Sequence, residues 1–224
     1  PASVAMRESA IGQGGLMKGS ELATVFSALR ANDLIWPYVV GNYLQGSKPA
    51  AFDLLYWNAD STNLPGPFAA WYLRHMYLEN RLCQPGKLEV CGLNVDLGLL
   101  SMPVFLYASR EDHIVPWQSA YQSRKLLSGK TTFVMGASGH IAGVINPPAK
   151  KRRSYWCNEK SGPKTSAEKW LAGAVETPGS WWPVWFGWLE KHAGTQKKAP
   201  VRPGNRRYPV TEAAPGRYVL EKAS

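Results

Sequence analysis

The sequence predicts an α/β fold, a mostly parallel sheet flanked by helices, and three observations carry that prediction. Met102 to Ser109 (MPVFLYAS) is a short continuous apolar run, the pattern of a strand buried on both faces of a parallel sheet. Thr131 to Met135 is a second β-rich run. Between them lie a polar loop, Arg110 to Pro116, and a stretch with helical spacing, Trp117 to Leu127. Strand, loop, helix, strand is the order that builds parallel pairs.

Taken from the start of the chain, residues 1–19 are rich in Gly, Ser and Ala, lack periodicity and read as a flexible lead-in rather than a core element. Ser20 is a residue type that caps helices, and Leu22, Val25, Phe26 and Leu29 after it fall at i, i+3, i+4 and i+7, one apolar helix face. A second helix opens near Asn32 or Asp33, runs through Leu34, Ile35, Tyr38 and Val39 to about Leu44, and stops at Gly46 to Pro49. Asp53 to Pro67 (DLLYWNADSTNLPGP) is a short apolar run followed by a turn-rich loop. Pro67 then suits the first turn of a helix carrying Phe68, Trp71, Tyr72 and Met76. Residues 85–97 read as a turn and a hairpin, with Leu88 and Val90 alternating. After Ser180, Trp181, Trp182, Trp185, Phe186 and Trp188 form an aromatic helical stripe, read as a helix packed on the sheet.

Composition excludes several function classes. With 224 residues, 45% hydrophobic and 19% charged, neither a disordered nor a fibrous chain fits. The net charge of +10 suggests an anionic partner until it is located. Residues 1–148 hold 11 Lys and Arg against 10 Asp and Glu, a net of +1, whereas residues 149–224 hold 15 against 6, a net of +9. Those basic residues do not interleave with aromatics in a nucleic-acid motif, so no nucleic-acid partner is assigned. Three cysteines without a C-x-x-C pair argue against a disulfide framework or a zinc cluster and suit a reducing compartment. No apolar run approaches the ~18 residues of a membrane span, and PASVAMRESAIG lacks the apolar region of a signal peptide. The expectation is a soluble cytoplasmic protein. The first residue is Pro rather than Met, and the chain reads as beginning inside a longer polypeptide.

Functional sites of such sheets lie in loops beyond the carboxyl ends of the strands, and Asp112 and His140 both stand there. A carboxylate after one strand and a histidine after its neighbour can meet above the sheet edge; the carboxylate then holds the imidazole in one tautomer while its other nitrogen serves a nucleophile. The alternative is that Asp112 caps the helix beginning near Trp117 and His140 is a loop residue satisfied by backbone. In α/β-hydrolases the chain order is nucleophile, acid, histidine, with the nucleophile on a G-x-S-x-G-type elbow. This chain has no elbow: Ser138 lies too close to the histidine, Cys83 follows a helix, Cys91 sits in the hairpin and Cys157 follows the histidine. Each cysteine reads as a small buried hydrophobe. Either the chemistry is lost or the nucleophile precedes Pro1.

The segments LRANDLIWPYVVGNYLQG (29–46), FDLLYWNADSTNLPGPFAAWYLRHMYLEN (52–80), SREDHIVPW (109–117), GASGHIAGVINPP (136–148) and GSWWPVWFGWL (179–189) resemble the C-terminal half of the catalytic domain of class I poly(3-hydroxyalkanoate) synthases. The resemblance implies an α/β-hydrolase fold of which this chain holds the later strands, with residues 1–46 as the end of a lid region and its helices and 47–224 as the C-terminal part of the catalytic domain. It implies polymerisation of (R)-3-hydroxyacyl-CoA, foremost 3-hydroxybutyryl-CoA, into polyester with release of CoA, through a Cys–His–Asp triad. Asp112 and His140 carry over as acid and histidine, and the cysteine would lie upstream. No cofactor or metal is implied. The partners would be the acyl-CoA, CoA, the growing polyester, a second subunit in a homodimer and the surface of the polymer granule.

Several residues stand as weaker candidates for substrate contact. His113 beside the acid could face the cavity or be structural. Asp60, with Asn58 and Asn63, forms a polar loop that hydrogen bonds within a turn would equally explain. Lys150, Lys151, Arg152 and Arg153 are the densest charge cluster and read as a solvated loop or as an attractor of CoA phosphates. The aromatic helix could touch polyester or a partner subunit. Two other functions share these features: an esterase or depolymerase of the same fold, in which water accepts the acyl group, and a non-catalytic synthase-like subunit that binds granules.

Overall fold

The two apolar runs pair as parallel strands in a computed structural model that describes residues 1–29, 31–49 and 60–221. The apolar run that starts at Asp53, and Asn58 with it, lies outside the described residues. Strand β5 (Val104–Ser109) lies beside β6 (Thr131–Gly136) in register from Val104 opposite Thr131 to Ser109 opposite Gly136. Two further strands, β7 (Ser154–Cys157) and β8 (Val175–Pro178), extend the sheet antiparallel, in the order β5-β6-β7-β8. Among the described strands the sheet is therefore mixed. Neither β7 nor β8 stands out in the sequence, because SYWC and VETP are too short for alternation to register and β8 carries a proline.

Alternation along β5 and β6 decides which face each residue serves. Ala108, Phe133 and Met135 join Trp156, with Leu106 packed against them, in one core cluster beneath helices α6 (Trp117–Gln122) and α8 (Ala167–Ala172). Those helices contribute Trp117, Tyr121, Ala167 and Trp170. Trp170 is 1% exposed and meets Phe133 edge-to-face with ring centroids 4.8 Å apart, and Tyr121 meets Phe133 likewise at 5.0 Å. Such pairs contribute about 0.5–1.5 kcal/mol each beyond burial. On the other face Phe105 and Tyr107 stack with Trp181, at 6.2 Å and 4.2 Å, and Phe105 meets Trp188 at 5.6 Å. Trp181 leads into α9 (Trp182–Glu190), so the aromatic stripe packs on the sheet as its spacing suggests. Helices thus cover both faces, the arrangement that lets a strand be apolar throughout.

Residues 81–199 form one compact unit, which contains this sheet and the hairpin of β3 (Leu88–Val90) and β4 (Leu93–Val95). The hairpin turns at Cys91 and Gly92, both with positive φ (51° and 78°), the geometry whose twist matches paired strands.

Residues 1–80 with 200–224 form the other unit. The reading of residues 1–19 as a lead-in does not hold. They form α1 (Ala2–Ile11) and a two-residue strand β1 (Leu16–Met17), paired antiparallel with β2 (Leu64–Pro65). What holds α1 is long-range: Glu8 receives both Nε and Nη2 of Arg74, and Gly66 lies so close that a side chain there would collide with the carbonyls of Ile11 and Gly14. No residue of α1 is buried, so no periodic stripe announces it. The helix predicted after Ser20 is α2 (Gly19–Leu29). The next one is built from α3 (Ala31–Leu34), α4 (Trp36–Tyr38) and a π-helical turn over Val39–Leu44, ending before Gly46 at φ 68°. Pro67 sits in the first turn of α5 (Gly66–Tyr72), as its fixed φ suits.

Two cysteines correct the sequence reading. Cys83, which ends a short 3-10 helix (Arg81–Cys83), and Cys91, in the hairpin turn, are exposed; Cys157 is half-buried. No described helix is long and apolar enough to cross a membrane.

Candidate active site

Parallel strands deliver their following loops to the same edge, and hydrogen bonds carry the β5–β6 ladder on into those loops. The Arg110 amide donates to Gly136 O at 2.8 Å and the Glu111 amide to Ser138 O at 3.1 Å. Ser138 adopts φ 79°, a left-handed conformation costly for a residue with a side chain, and it turns the chain sharply into helix α7 (His140–Val144). His140 is therefore the first helical residue above the end of β6. The Asp112 amide returns to Ser109 O at 3.2 Å, which fixes the acid loop over the end of β5.

The two side chains meet. His140 Nδ1 lies 2.8 Å from Asp112 Oδ2. A carboxylate only accepts, so Nδ1 carries the proton and donates it, and in the neutral ring Nε2 is then the basic nitrogen. Asp112 Oδ1 accepts from the amides of Ile114 (2.9 Å) and Val115 (3.0 Å). Those bonds close a turn within the loop and do not cap α6, whose cap position is Pro116. Burial pushes the Asp112 carboxyl up, but the Val115 amide, the His140 ring and the Ile114 amide outweigh it and hold the group below its ordinary value. The acid side chain is 10% exposed and the imidazole 45%, so a shielded carboxylate orients a ring that solvent or substrate can reach.

Beneath this pair the packing leaves no slack. Gly143 of α7 rests on Ser109, where an added Cβ would come within 2.3 Å of the serine Oγ. Ser109 is 2% exposed, and its hydroxyl lies 3.2 Å from Tyr107 Oη. Burial raises the Tyr107 phenol further above its ordinary value, so it stays neutral. Neither Tyr107 nor Ser109 differs in the sequence from any other strand residue. The hydrophobic run hides them.

The remaining candidates separate. His113 is exposed, next to the acid in the chain, with no hydrogen bond to a described residue. Lys150, Lys151, Arg152 and Arg153 are all exposed, yet Arg153 differs in turning its guanidinium onto the carbonyls of Ala142 and Ile145. Asp60 is half-buried in the unit of residues 1–80 and 200–224, and Asn63 of the same loop accepts the Gly19 amide at 3.1 Å. A cavity in residues 81–199, about 950 Å³, opens near the start of β6 beside Lys130, Thr131 and Trp170 and includes neither Asp112 nor His140. Cys157 lines it, with burial pushing its thiol up to about 11.

A family model for the alpha/beta hydrolase fold matches residues 13–147, a span that contains both Asp112 and His140. The chain is 57% identical over 98% of its length to a poly(3-hydroxyalkanoate) polymerase subunit of Cupriavidus necator and 46% identical over 93% to that of Rhizobium meliloti. It is 43% identical over 94% of its length to poly(3-hydroxyalkanoate) polymerase 1 of Ectopseudomonas oleovorans. It spans 38%, 33% and 37% of those three proteins, and the match lies in their C-terminal part. The chain thus belongs to the alpha/beta hydrolase fold family and, within it, is similar to the C-terminal part of poly(3-hydroxyalkanoate) polymerases.

Proposed function

We propose that this chain supplies the acid and the histidine of an acyltransferase that polymerises (R)-3-hydroxyacyl-CoA, foremost 3-hydroxybutyryl-CoA, and releases CoA. The observation that carries the reading is the 2.8 Å contact between His140 Nδ1 and Asp112 Oδ2, on a chain 57% identical to a poly(3-hydroxyalkanoate) polymerase subunit. Among the described residues no cysteine suits the nucleophile's part: the Cys157 thiol is raised to about 11, and Cys83 and Cys91 are exposed on a short 3-10 helix and a hairpin turn. The nucleophile we assign is a cysteine in polypeptide preceding Pro1.

His140 Nε2 takes the proton of that thiol, and Asp112 stabilises the imidazolium that forms. The thiolate attacks the thioester carbonyl carbon; the new carbon–sulfur bond forms as the bond to CoA sulfur breaks, and CoA leaves with the proton held by His140. Chain growth repeats the exchange with oxygen. The 3-hydroxyl of one acyl unit loses its proton to the His140–Asp112 pair and attacks the carbonyl of another, forming an ester and returning a thiolate. Both steps are redox-neutral acyl transfers.

Three further assignments belong to this reading. The protein acts in the cytoplasm, where its three unpaired cysteines suit a reducing compartment. It works at the polyester surface, which the exposed apolar residues of α2 favour, and as a homodimer. Lys150, Lys151 and Arg152, exposed and cationic, attract the CoA phosphates, and His113 is the remaining substrate contact.

The test uses the full-length protein with 3-hydroxybutyryl-CoA, CoA release being followed with a thiol reagent and the product by mass. Long polyester with stoichiometric CoA is the expected result. Free 3-hydroxybutyrate as sole product would place water as the acceptor and overturn the polymerase reading in favour of an esterase.

A further inference from the structure

Helix α7 has five residues, too few to hold its own geometry, and its carbonyl end needs donors from elsewhere. It receives them from side chains, and at Val144 O also from the Asn146 amide at 3.1 Å. Arg153 Nη1 donates to Ala142 O and, at 3.4 Å, to Ile145 O. Trp181 Nε1 donates to Gly143 O at 3.2 Å, and Trp182 Nε1 to Val144 O at 2.9 Å. All four successive carbonyls from Ala142 to Ile145 are thus met by a guanidinium or an indole.

The donors are themselves anchored. The turn bearing Arg153 has left-handed backbone at Lys151 (φ 45°) and Arg153 (φ 65°) and is tied to the segment before Trp181, with the Gly179 amide donating to Arg153 O at 2.8 Å. Buried Asn146 bridges the same two segments, donating to Arg152 O at 3.2 Å and Gly179 O at 3.3 Å. Trp181 stacks on Tyr107 of β5, the strand that leads to Asp112. The carbonyl end of α7 is thereby referenced to the strand that carries the acid, while its first residue is the histidine. A cation at the carboxyl end of a helix is also electrostatically favourable.

We propose that Arg153, Trp181 and Trp182 are positioning residues: they clamp α7 so that His140 Nδ1 stays on Asp112, and Arg153 is not a ligand of the CoA phosphates. This rests on the acyltransferase reading only for its kinetic consequence. The clamp itself can be read without activity.

The experiment compares Arg153→Met, Arg153→Lys and Trp182→Phe in the full-length enzyme by steady-state kinetics and by amide hydrogen exchange of the segment 138–146. For Arg153→Met the expectation is a kcat about tenfold lower with KM for acyl-CoA and its salt dependence unchanged, partial recovery in Arg153→Lys, and faster exchange confined to 138–146. Trp182→Phe, which removes the N–H and keeps an aromatic ring of smaller size, gives the same pattern more weakly and decides the matter if Arg153→Met fails to fold. A raised KM with altered salt dependence and unchanged kcat would make Arg153 a phosphate contact and overturn the proposal. Unchanged exchange in both variants would overturn it too. Should the wild-type enzyme prove not to be a polymerase, exchange still reports the clamp, so the two failures are distinguishable.

Discussion

In residues 81–199, Trp170, Phe133 and Met135 are buried against one face of a hydrogen-bonded sheet, and the stripe of α9 lies on the other. In residues 1–80 and 200–224, Leu22, Val25, Phe26 and Leu29 make an equally regular stripe on α2, and all four are exposed, Leu29 at 73%. The stripes are indistinguishable in kind. What separates them is the second layer: β5 and β6 present a broad apolar surface because residues 27 apart in the chain pair along six positions, whereas the described residues offer α2 no such surface. Periodicity predicts that a helix forms and which side is apolar. Whether that side is covered depends on pairing far away in sequence.

The sharpest contrast should appear in catalysis. On the acyltransferase reading, Asp112→Asn or His140→Gln in the full-length protein should lower kcat by roughly 10³-fold or more, the loss expected on removing a triad member, whereas Phe26→Ser should leave kcat on soluble 3-hydroxybutyryl-CoA within a few-fold of wild type. Turnover of 3-hydroxybutyryl-CoA by the His140→Gln enzyme at the wild-type rate would end the assignment of the pair. Stability should divide the same way. Trp170→Ala, which empties the centre of the core, should cost about 3–5 kcal/mol in urea unfolding, while Leu29→Ser at an exposed position should stay within about 0.5 kcal/mol.

Acid should also act on one region first. Asp112 has a folded-state carboxyl pKa depressed below its ordinary 3.8, so its contribution is fully present above that value and is lost as the pH falls through the folded value. Acid titration followed by hydrogen exchange should show the 110–115 loop loosening below about pH 4, and Asp112→Asn should remove that step. The smallest effect concerns cysteine. With its thiol pushed up to about 11, Cys157 should resist alkylation at pH 8, and Cys157→Ala should leave kcat unchanged. A tenfold loss there would move chemistry to the cavity near the start of β6.

How much of this was legible beforehand varies with the range of the interaction. Asp112 and His140 could be found because each follows an apolar run directly, and a loop at a strand's carboxyl end is where such folds put their chemistry. The hairpin, α2, α5 and α9 were legible from local alternation, helical spacing and a proline in the right turn. Helix α1 was not, since an ion pair to Arg74 and the close approach of Gly66 hold it, neither of which leaves a mark on residues 2–11. Strands β7 and β8 escaped because short strands gain their stability from neighbours rather than from their own residues. Arg153 was visible only as one of four clustered cations; its contact with α7 depends on a turn with two left-handed residues.

By itself, then, the sequence determined the elements whose apolar residues recur at a local period, the order strand, loop, helix, strand, and the placement of a carboxylate and a histidine in successive loops. Local backbone sterics and the hydrophobic pattern suffice for that much. Only the tertiary structure decided that Asp112 and His140 touch, which stripes are covered, and that the histidine's short helix is held by side chains 13 to 42 residues further on. Those outcomes turn on ångström distances between segments, and a contact of that kind is set by the sum of the packing around it rather than by any residue's neighbours in the chain.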